Sequence, residues 1–219
     1  MYEIPLFPLH TVLFPNTPIN LHIFEPRYRE MIAFCLAAQK PFGVVLIRRG
    51  SEVGGPAEPY RVGCTARINQ VDHLPGGEMD LTALGEERFE ILSLDGSSRP
   101  YLTAQVRGLQ LDPPQSLDVL RGMREMNTWL DEYIRWMAVI SQGELDLREM
   151  ELPGDALMRL NIAAALLQIP AVEKQPMLEA LSASDLLRQV RRLYRRECAL
   201  LGGISPSREA GASRNAWLN

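Results

Sequence analysis

Lysine is scarce in this 219-residue sequence, in which only Lys40 and Lys174 stand among the 23 basic residues. A phosphate-binding loop needs a Gly-Lys-Ser/Thr sequence, whose backbone N–H groups and lysine hold the phosphates. Here Lys40 follows Gln39 and Lys174 follows Glu173, so the sequence contains no such loop. A serine nucleophile activated by a lysine is disfavoured by the same scarcity. We therefore expect no ATPase or Ser-Lys protease activity and no enzyme function.

Cysteine is also sparse, and the three cysteines are far apart: Cys35, Cys64 and Cys198. An odd and scattered set predicts neither a disulfide framework nor a zinc site. The first residues show no basic segment followed by an apolar core, so a secretory signal is not expected. The longest apolar-rich run, 162–172, is too short to span a bilayer. These absences favour a reducing, cytoplasmic location and no membrane partner.

Metal and cofactor sites have little support in the sequence. The three histidines, His10, His22 and His73, are not spaced as metal-ligand pairs, and no pair of carboxylates stands out. We expect surface or structural roles for the histidines and a core position for Cys64. The formal net charge of −4 argues mildly against bulk binding of nucleic acid, which usually needs a basic excess. No cofactor is predicted.

Residues 1–112 are predicted to form a β-domain with one helix. Ile19, Leu21 and Ile23 alternate with polar residues, as a half-buried strand requires. Pro26 suits the first position of a helix, where Glu25 is placed to receive the unpaired N–H groups. Further strand-like runs follow over 42–47, 61–71, 79–84, 89–92 and 101–111, with a loop over 51–59. Many short strands with frequent turns predict a small, curved, partly closed β-structure.

Residues 116–201 are predicted to form a helical bundle after a Pro-Pro hinge at 113–114. Apolar residues at helical spacing predict a long helix over 117–142, and a mostly apolar segment predicts a buried helix over 155–169. Ser182 and Asp185 resemble a capping box that begins a last helix, which ends near Leu201. Residues 202–219 are predicted to be a tail, with Trp217 in an otherwise polar context.

Several ordered motifs resemble one known family. They are Pro5-Leu6-Phe7-Pro8-Leu9, Val12-Leu13-Phe14-Pro15, Ile23-Phe24-Glu25-Pro26-Arg27-Tyr28, Val62-Gly63-Cys64-Thr65-Ala66-Arg67-Ile68 and Leu84-Gly85-Glu86-Glu87-Arg88-Phe89. Together with a looser likeness among the helices, they resemble the N-terminal, substrate-binding domain of Lon proteases over about residues 3–200. Pro176 departs from the family pattern, so the helix around it is expected to start later or to be kinked.

The resemblance implies a PUA-like β-barrel followed by a helical bundle, an α+β fold. In the full protease this region engages unfolded or tagged substrate proteins, and copies without the ATPase and protease modules are known. The resemblance names no catalytic residue. It therefore implies a protein-binding module, as a stand-alone member of the family, related to proteolysis.

Five arginines follow one face of the last predicted helix: Arg188, Arg191, Arg192, Arg195 and Arg196. Their guanidinium groups could bind phosphate oxygens of RNA. The alternative is a solvated face that pairs with the acidic segment 144–151, helped by the favourable interaction of arginines with the helix carboxyl end.

Trp129 and Trp136 lie on the same side of the long predicted helix, at the edge of its apolar stripe. With adaptable methionines such as Met126, they could form an aromatic groove for apolar side chains of a client polypeptide. The alternative is packing against a neighbouring helix or the β-domain.

The sequence thus favours a non-enzymatic module that binds unfolded or apolar polypeptide, or one specific protein partner. The alternative is RNA binding through the β-domain and the arginines of the last helix. Salt separates the two hypotheses, because phosphate contacts weaken steeply as salt rises whereas apolar capture does not.

Overall fold

Strands fill the first half of the chain and helices fill the second. The computed structural model describes residues 1–55, 57–111, 117–140 and 153–204, and within them it contains seven strands and five longer helices. The first-half elements are β1 (Tyr2–Leu9), β2 (Pro18–Ile23), α1 (Pro26–Ala38), β3 (Phe42–Gly50), β4 (Ala57–Pro59), β5 (Val62–His73), β6 (Met79–Asp95) and β7 (Thr103–Leu109). The second-half helices are α2 (Leu117–Ile140), α3 (Ala156–Leu166), α4 (Ala171–Leu178) and α5 (Ala183–Ile204). This is a mixed α+β fold, as predicted.

The seven strands form one sheet in the order β1-β7-β6-β5-β3-β4, with β2 paired to β6. All the pairings are antiparallel except the one between β1 and β3. β1 has two partners along its length. Its first half, residues 2–5, pairs with β7, and its second half, residues 6–9, pairs with β3. The N-terminal strand therefore joins two strands that lie far apart in the order of the sheet.

The two strand-like runs 79–84 and 89–92 belong to one strand of 17 residues, β6, so their prediction as separate runs is wrong. Gly85 lies between them and keeps the strand continuous. Its N–H donates to the Thr17 carbonyl at 2.9 Å, and its carbonyl accepts from the Asn16 N–H at 2.7 Å. A Cβ at Gly85 would lie 2.3 Å from the Phe14 carbonyl oxygen. Glycine is needed here because another backbone segment passes directly over the strand.

Helix α1 begins at Pro26, as predicted, but Glu25 does not cap it in the expected way. Among the described residues, the Glu25 carboxylate makes no capping bond; it pairs with Arg27 at 3.0 Å. The backbone carbonyl of Glu25 instead accepts from the N–H groups of Tyr28 and Arg29, at 3.1 and 3.0 Å. The predicted loop 51–59 also contains a short strand, β4, which pairs with β3.

The starts of the later helices follow local signals. Asp155 caps α3 by accepting from the Met158 N–H at 2.7 Å, and Ser182 Oγ accepts from the Asp185 N–H at 3.2 Å before α5. α4 begins at Ala171 and contains Pro176, so of the two expected alternatives, a later start or a kink, the later start is wrong. α5 continues to Ile204, past the predicted end near Leu201. The predicted hinge and the rest of the tail, with Trp217, lie outside the described residues.

The largest group of buried side chains joins the two halves of the chain. It contains the inner faces of α2, α3, α4 and α5 together with Val12, Phe14 and Leu46 from the β half. A second group fills the space between α1 and the sheet, and it includes Met31, Ile32 and Phe42. Phe14 is 1 % exposed although it belongs to a connecting segment. The helices are thus anchored on the loop after β1 and on β3.

We predict that Gly85→Ala destabilises the protein by about 1–3 kcal/mol, because the added Cβ forces the Phe14 backbone away from β6. Urea unfolding followed by circular dichroism measures the loss. Gly108→Ala in β7 is the matched control, because a Cβ there meets no heavy atom within 4 Å among the described residues. An equal effect of the two substitutions would contradict the close approach at Gly85.

Candidate functional site

The face of α2 that carries the two tryptophans is only half open to solvent. Met126 is fully buried at 0 % exposure, so its side chain offers no surface to a client. Trp129 is half-buried and packs on the core of the helical half. Trp136 is also half-buried, and its ring lies 3.9 Å from where a Cβ of Gly202 would stand. Of the three residues predicted to form an aromatic groove, Trp136 and Trp129 retain accessible surface.

Carboxylates pair with three of the five arginines on α5, and for two of these the partner comes from another helix. Arg188 pairs with Asp185, Arg191 with Glu125 of α2, and Arg196 with Glu173 of α4 and with Glu197. Arg192 and Arg195 are exposed and form no ion pair within the described ranges. The acidic segment 144–151, the expected partner, lies outside the described residues. The charge available for phosphate binding on this face is therefore much smaller than the sequence suggests.

Nucleophilic and metal chemistry finds no support among the described residues. Cys64 is fully buried, and this burial raises the pKa of its thiol to about 12. Burial likewise raises the pKa of Cys35 and of Cys198 to about 11. In the part of the chain that is described, no group of His, Cys, Asp and Glu side chains is arranged to hold a metal ion. None of the helices described is long and apolar enough to cross a membrane.

A groove runs along one edge of β2, and we call it the β2-edge groove. Its volume is about 230 Å³. Consecutive residues 20–24 line it, so it follows the edge of the strand rather than one face. The remaining lining comes from β1, α1 and the segment after β3: Phe7, Leu9, Glu25, Tyr28, Glu52 and Val53. Among the described residues this edge of β2 pairs with no strand.

Exposed apolar and acidic side chains surround the β2-edge groove. Phe24 is 45 % exposed and Val53 is 54 % exposed. Phe7 and Tyr28 stack behind them with ring centroids 4.1 Å apart. His22 contacts Asp80 at 2.7 Å through Nδ1 and Glu78 at 3.3 Å through Nε2. The groove therefore combines an unpaired strand edge, an apolar wall and a negatively charged rim.

A second concave surface lies where the sheet meets α3, and we call it the junction cleft. Its volume is about 420 Å³, and its lining consists of Pro15, Asn16, Glu86, Glu87, Arg88, Gly108, Leu109, Gln110, Leu111, Asp155, Leu157, Met158 and Asn161. Arg88 is only 5 % exposed. Its Nη1 donates to the carbonyls of Leu178 and Ala180, both at 2.7 Å. These bonds tie β6 to the segment between α4 and α5.

Sequence reasoning missed both concave surfaces, although each had a signal. Arg88 stands in the Gly-x-x-Arg-Phe motif directly before the fully buried Phe89, and its place in that motif was the available signal. The glutamates on either side of it, Glu86, Glu87 and Glu90, gave no indication of a buried arginine. The β2-edge groove had a weaker signal. Phe24 follows the alternation of β2 on the polar side of the strand, where an aromatic side chain has to lie in solvent or on a partner.

A family model matches residues 3–196, and it describes the substrate-binding domain of the ATP-dependent protease La (LON). Relatives share low identity over most of this chain. The Lon protease of Syntrophus aciditrophicus is 24% identical over 205 residues, which are 90% of this chain and 25% of that protein. The Lon protease of Flavobacterium johnsoniae is 31% identical over 118 residues, 53% of this chain and 14% of that protein. The chain thus spans about a quarter or less of these relatives.

Two solved structures share the fold. A Lon N-terminal domain protein from Xanthomonas campestris superposes with a TM-score of 0.61 at 22% identity, over 89% of this chain and 98% of that chain. The N-terminal domain of the Lon protease of the Mycobacterium avium complex gives a TM-score of 0.66 at 14% identity, with the same coverage. The matches fall on the N-terminal domain and not on ATPase or protease modules.

We predict that Arg88→Met lowers the free energy of unfolding by about 2–4 kcal/mol, because it leaves two buried carbonyls without donors. Chemical denaturation measures the change. Arg107→Met on β7 is the control, since Arg107 is exposed and pairs with Glu90 at the surface, where an ion pair contributes about 0–1 kcal/mol. Equal losses in the two variants would contradict the role of Arg88 as the link to the helices.

We also predict that His22 titrates above the ordinary value of 6.5, because its hydrogen bond to Asp80 raises the pKa of the imidazole. The resulting stabilisation is present below pH 6.5 and is lost as the pH rises through the raised folded pKa. NMR titration of the His22 ring measures the midpoint. Asp80→Asn should lower it, whereas Glu58→Gln, whose carboxylate pairs with Arg48, should not. An unchanged midpoint in Asp80→Asn would contradict this pairing.

Proposed function

The chain belongs to the family of Lon substrate-binding domains, and from this premise we propose that it is a non-enzymatic module that recognises polypeptide substrates. The proposed ligands are unfolded or apolar segments of polypeptide, or a specific protein partner. The observation that carries this proposal is the edge of β2 beside an apolar groove, which pairs with no strand in the described part of the chain. We propose the β2-edge groove as the main binding site.

An unpaired strand edge suits substrates of varied sequence. A strand edge presents backbone N–H and C=O groups, and an extended polypeptide can add to it as a further strand whatever its side chains are. Such an edge is a liability in a protein that has no use for it, because it also templates aggregation. Pro18 at the start of β2 and the charged cluster around His22 limit pairing to a short stretch.

The apolar wall supplies the second part of the binding energy. The volume of about 230 Å³ is below the roughly 300–1,000 Å³ of typical small-molecule sites. It suits one large apolar side chain of a bound strand, which would contact Phe24, Val53 and Tyr28. The acidic rim formed by Glu52 and by Glu78 and Asp80 beside His22 favours segments whose apolar residue has basic neighbours.

The tryptophans of α2 are proposed as an additional contact. Trp136 is the better candidate, since Trp129 packs on the core. RNA binding through α5 has less support, because the exposed Arg192 and Arg195 form a smaller positive surface than five arginines would.

The pairing of β1 with both β7 and β3 supports a PUA-like barrel over 1–112, followed by a helical bundle over 116–201. Three unpaired thiols support a cytoplasmic location.

We predict saturable binding of a fluorescein-labelled, carboxymethylated unfolded protein, with an affinity that changes little between low and high salt. Phe24→Ser should weaken binding about tenfold or more, since losing a buried apolar side chain costs about 1.5–3 kcal/mol. Fluorescence anisotropy measures both.

Leu36→Ser is the matched control, because Leu36 is 40 % exposed, close to the 45 % of Phe24, but does not line the groove. A labelled single-stranded RNA serves as the competing ligand. Equal affinities of Phe24→Ser and Leu36→Ser would exclude the β2-edge groove. Tight, salt-sensitive binding of the RNA alone would replace polypeptide recognition with nucleic-acid recognition.

A further inference from the structure

We propose that the junction cleft binds the terminal carboxylate of a polypeptide that ends in an apolar residue. This inference rests on the proposed function and adds to it a substrate class, the chain ends of polypeptides. Arg88 and Asn161 bind the carboxylate, and the apolar side chain of the last residue packs on the leucines of the cleft.

The positive charge of Arg88 lacks a carboxylate partner among the described residues. Its two hydrogen bonds go to neutral carbonyl oxygens, and both use Nη1. Burying a cation without an anion is costly, so nearly all buried arginines are paired. A ligand anion at this position supplies the missing counter-charge.

Two hydrogen-bond donors of Arg88, Nε and Nη2, remain for a ligand. Within the described ranges, Nε and Nη2 of Arg88 make no hydrogen bond, and yet neither atom is sealed from solvent. Arg88 lines the junction cleft, so these donors are reachable from it. Two parallel N–H groups on one edge of a guanidinium match the two oxygens of a carboxylate.

Asn161 on α3 lines the same cleft and is only 3 % exposed. Its side-chain amide makes no hydrogen bond to the parts of the chain described here. A buried amide normally has a partner. The amino end of α3 does not contribute here, because the Asp155 carboxylate already caps it. Two independent features, the free guanidinium edge of Arg88 and the amide of Asn161, therefore favour a negative group at the same place.

The apolar and acidic side chains of the cleft favour the carboxyl end of a polypeptide over a polyanion. Leu109, Leu111 and Leu157 give the cleft an apolar wall, which suits the side chain of a terminal residue. The carboxylates of Glu86, Glu87 and Asp155 also line the cleft. They repel a nucleic acid or a segment with several acidic residues, whereas a single terminal carboxylate reaches the buried guanidinium. One anionic group next to an apolar one is the chemistry of a polypeptide carboxyl end.

The test compares two labelled decapeptides of the same sequence, both ending in leucine, one with a C-terminal carboxylate and one with an amide. The carboxylate form should bind the full chain about tenfold or more tightly, since hydrogen bonds to a charged group contribute about 1.5–3 kcal/mol. Gly108→Leu should remove this difference by filling the cleft, because Gly108 lines the cleft and a Cβ there meets no heavy atom within 4 Å among the described residues. Gly203→Leu, on exposed α5 backbone with equal space, is the matched control.

The outcomes separate this inference from the proposed function. Equal binding of the carboxylate and the amide overturns the carboxylate site, and so does a preference that survives Gly108→Leu. In either case, continued capture of the unfolded protein keeps the proposed function intact. Loss of the preference in Gly203→Leu as well as in Gly108→Leu would also overturn the placement in the cleft. Melting temperatures of both variants, unchanged from the parent, establish that folding is not the cause.

Discussion

Two hydrogen bonds from one buried arginine to backbone carbonyls hold the strand half and the helical half of this protein together. Arg88 extends from β6 to Leu178 and Ala180, where α4 has ended and carbonyls lack helical partners. Gln175 adds a second link, from its side-chain amide to the Val62 carbonyl at 3.0 Å. Apolar contacts through Phe14 are not directional, whereas these bonds fix how the helices sit on the sheet. The junction cleft lies between α3 and the neighbouring part of β6 and β7.

The sequence predicted those elements whose signals are local. The alternation of Ile19, Leu21 and Ile23, and the Ser182 cap of α5, are confirmed because they depend on neighbours within a few residues. The family and the α+β class were also predicted, from ordered motifs. Errors arose where distant segments meet. β6 was predicted as two runs on either side of Gly85, and only the Phe14 backbone reveals why a glycine is needed within one continuous strand.

The candidate sites show the same division. The sequence predicted the arginine face of α5. It did not predict the low net charge of that face, because the partners Glu125 and Glu173 come from other helices. The β2-edge groove is assembled from β1, β2, α1 and the segment after β3, which no spacing rule brings together. For Met126 the sequence left two alternatives, a groove for a client or packing in the core, and its burial at 0 % exposure favours packing. Helical periodicity predicts which face of a helix a residue lies on. It does not predict how deeply that residue is buried in the fold.

The double pairing of β1 has a consequence for how the chain folds during synthesis. Residues 2–5 find their partner only when 103–106 have left the ribosome, and residues 6–9 find theirs in 43–46. The N-terminal strand is therefore half paired while the rest of the sheet is translated. Contacts so distant in sequence slow folding and leave a strand edge open to other nascent chains. Under the proposed function, this half-paired nascent chain is itself of the class of polypeptide that the module would bind.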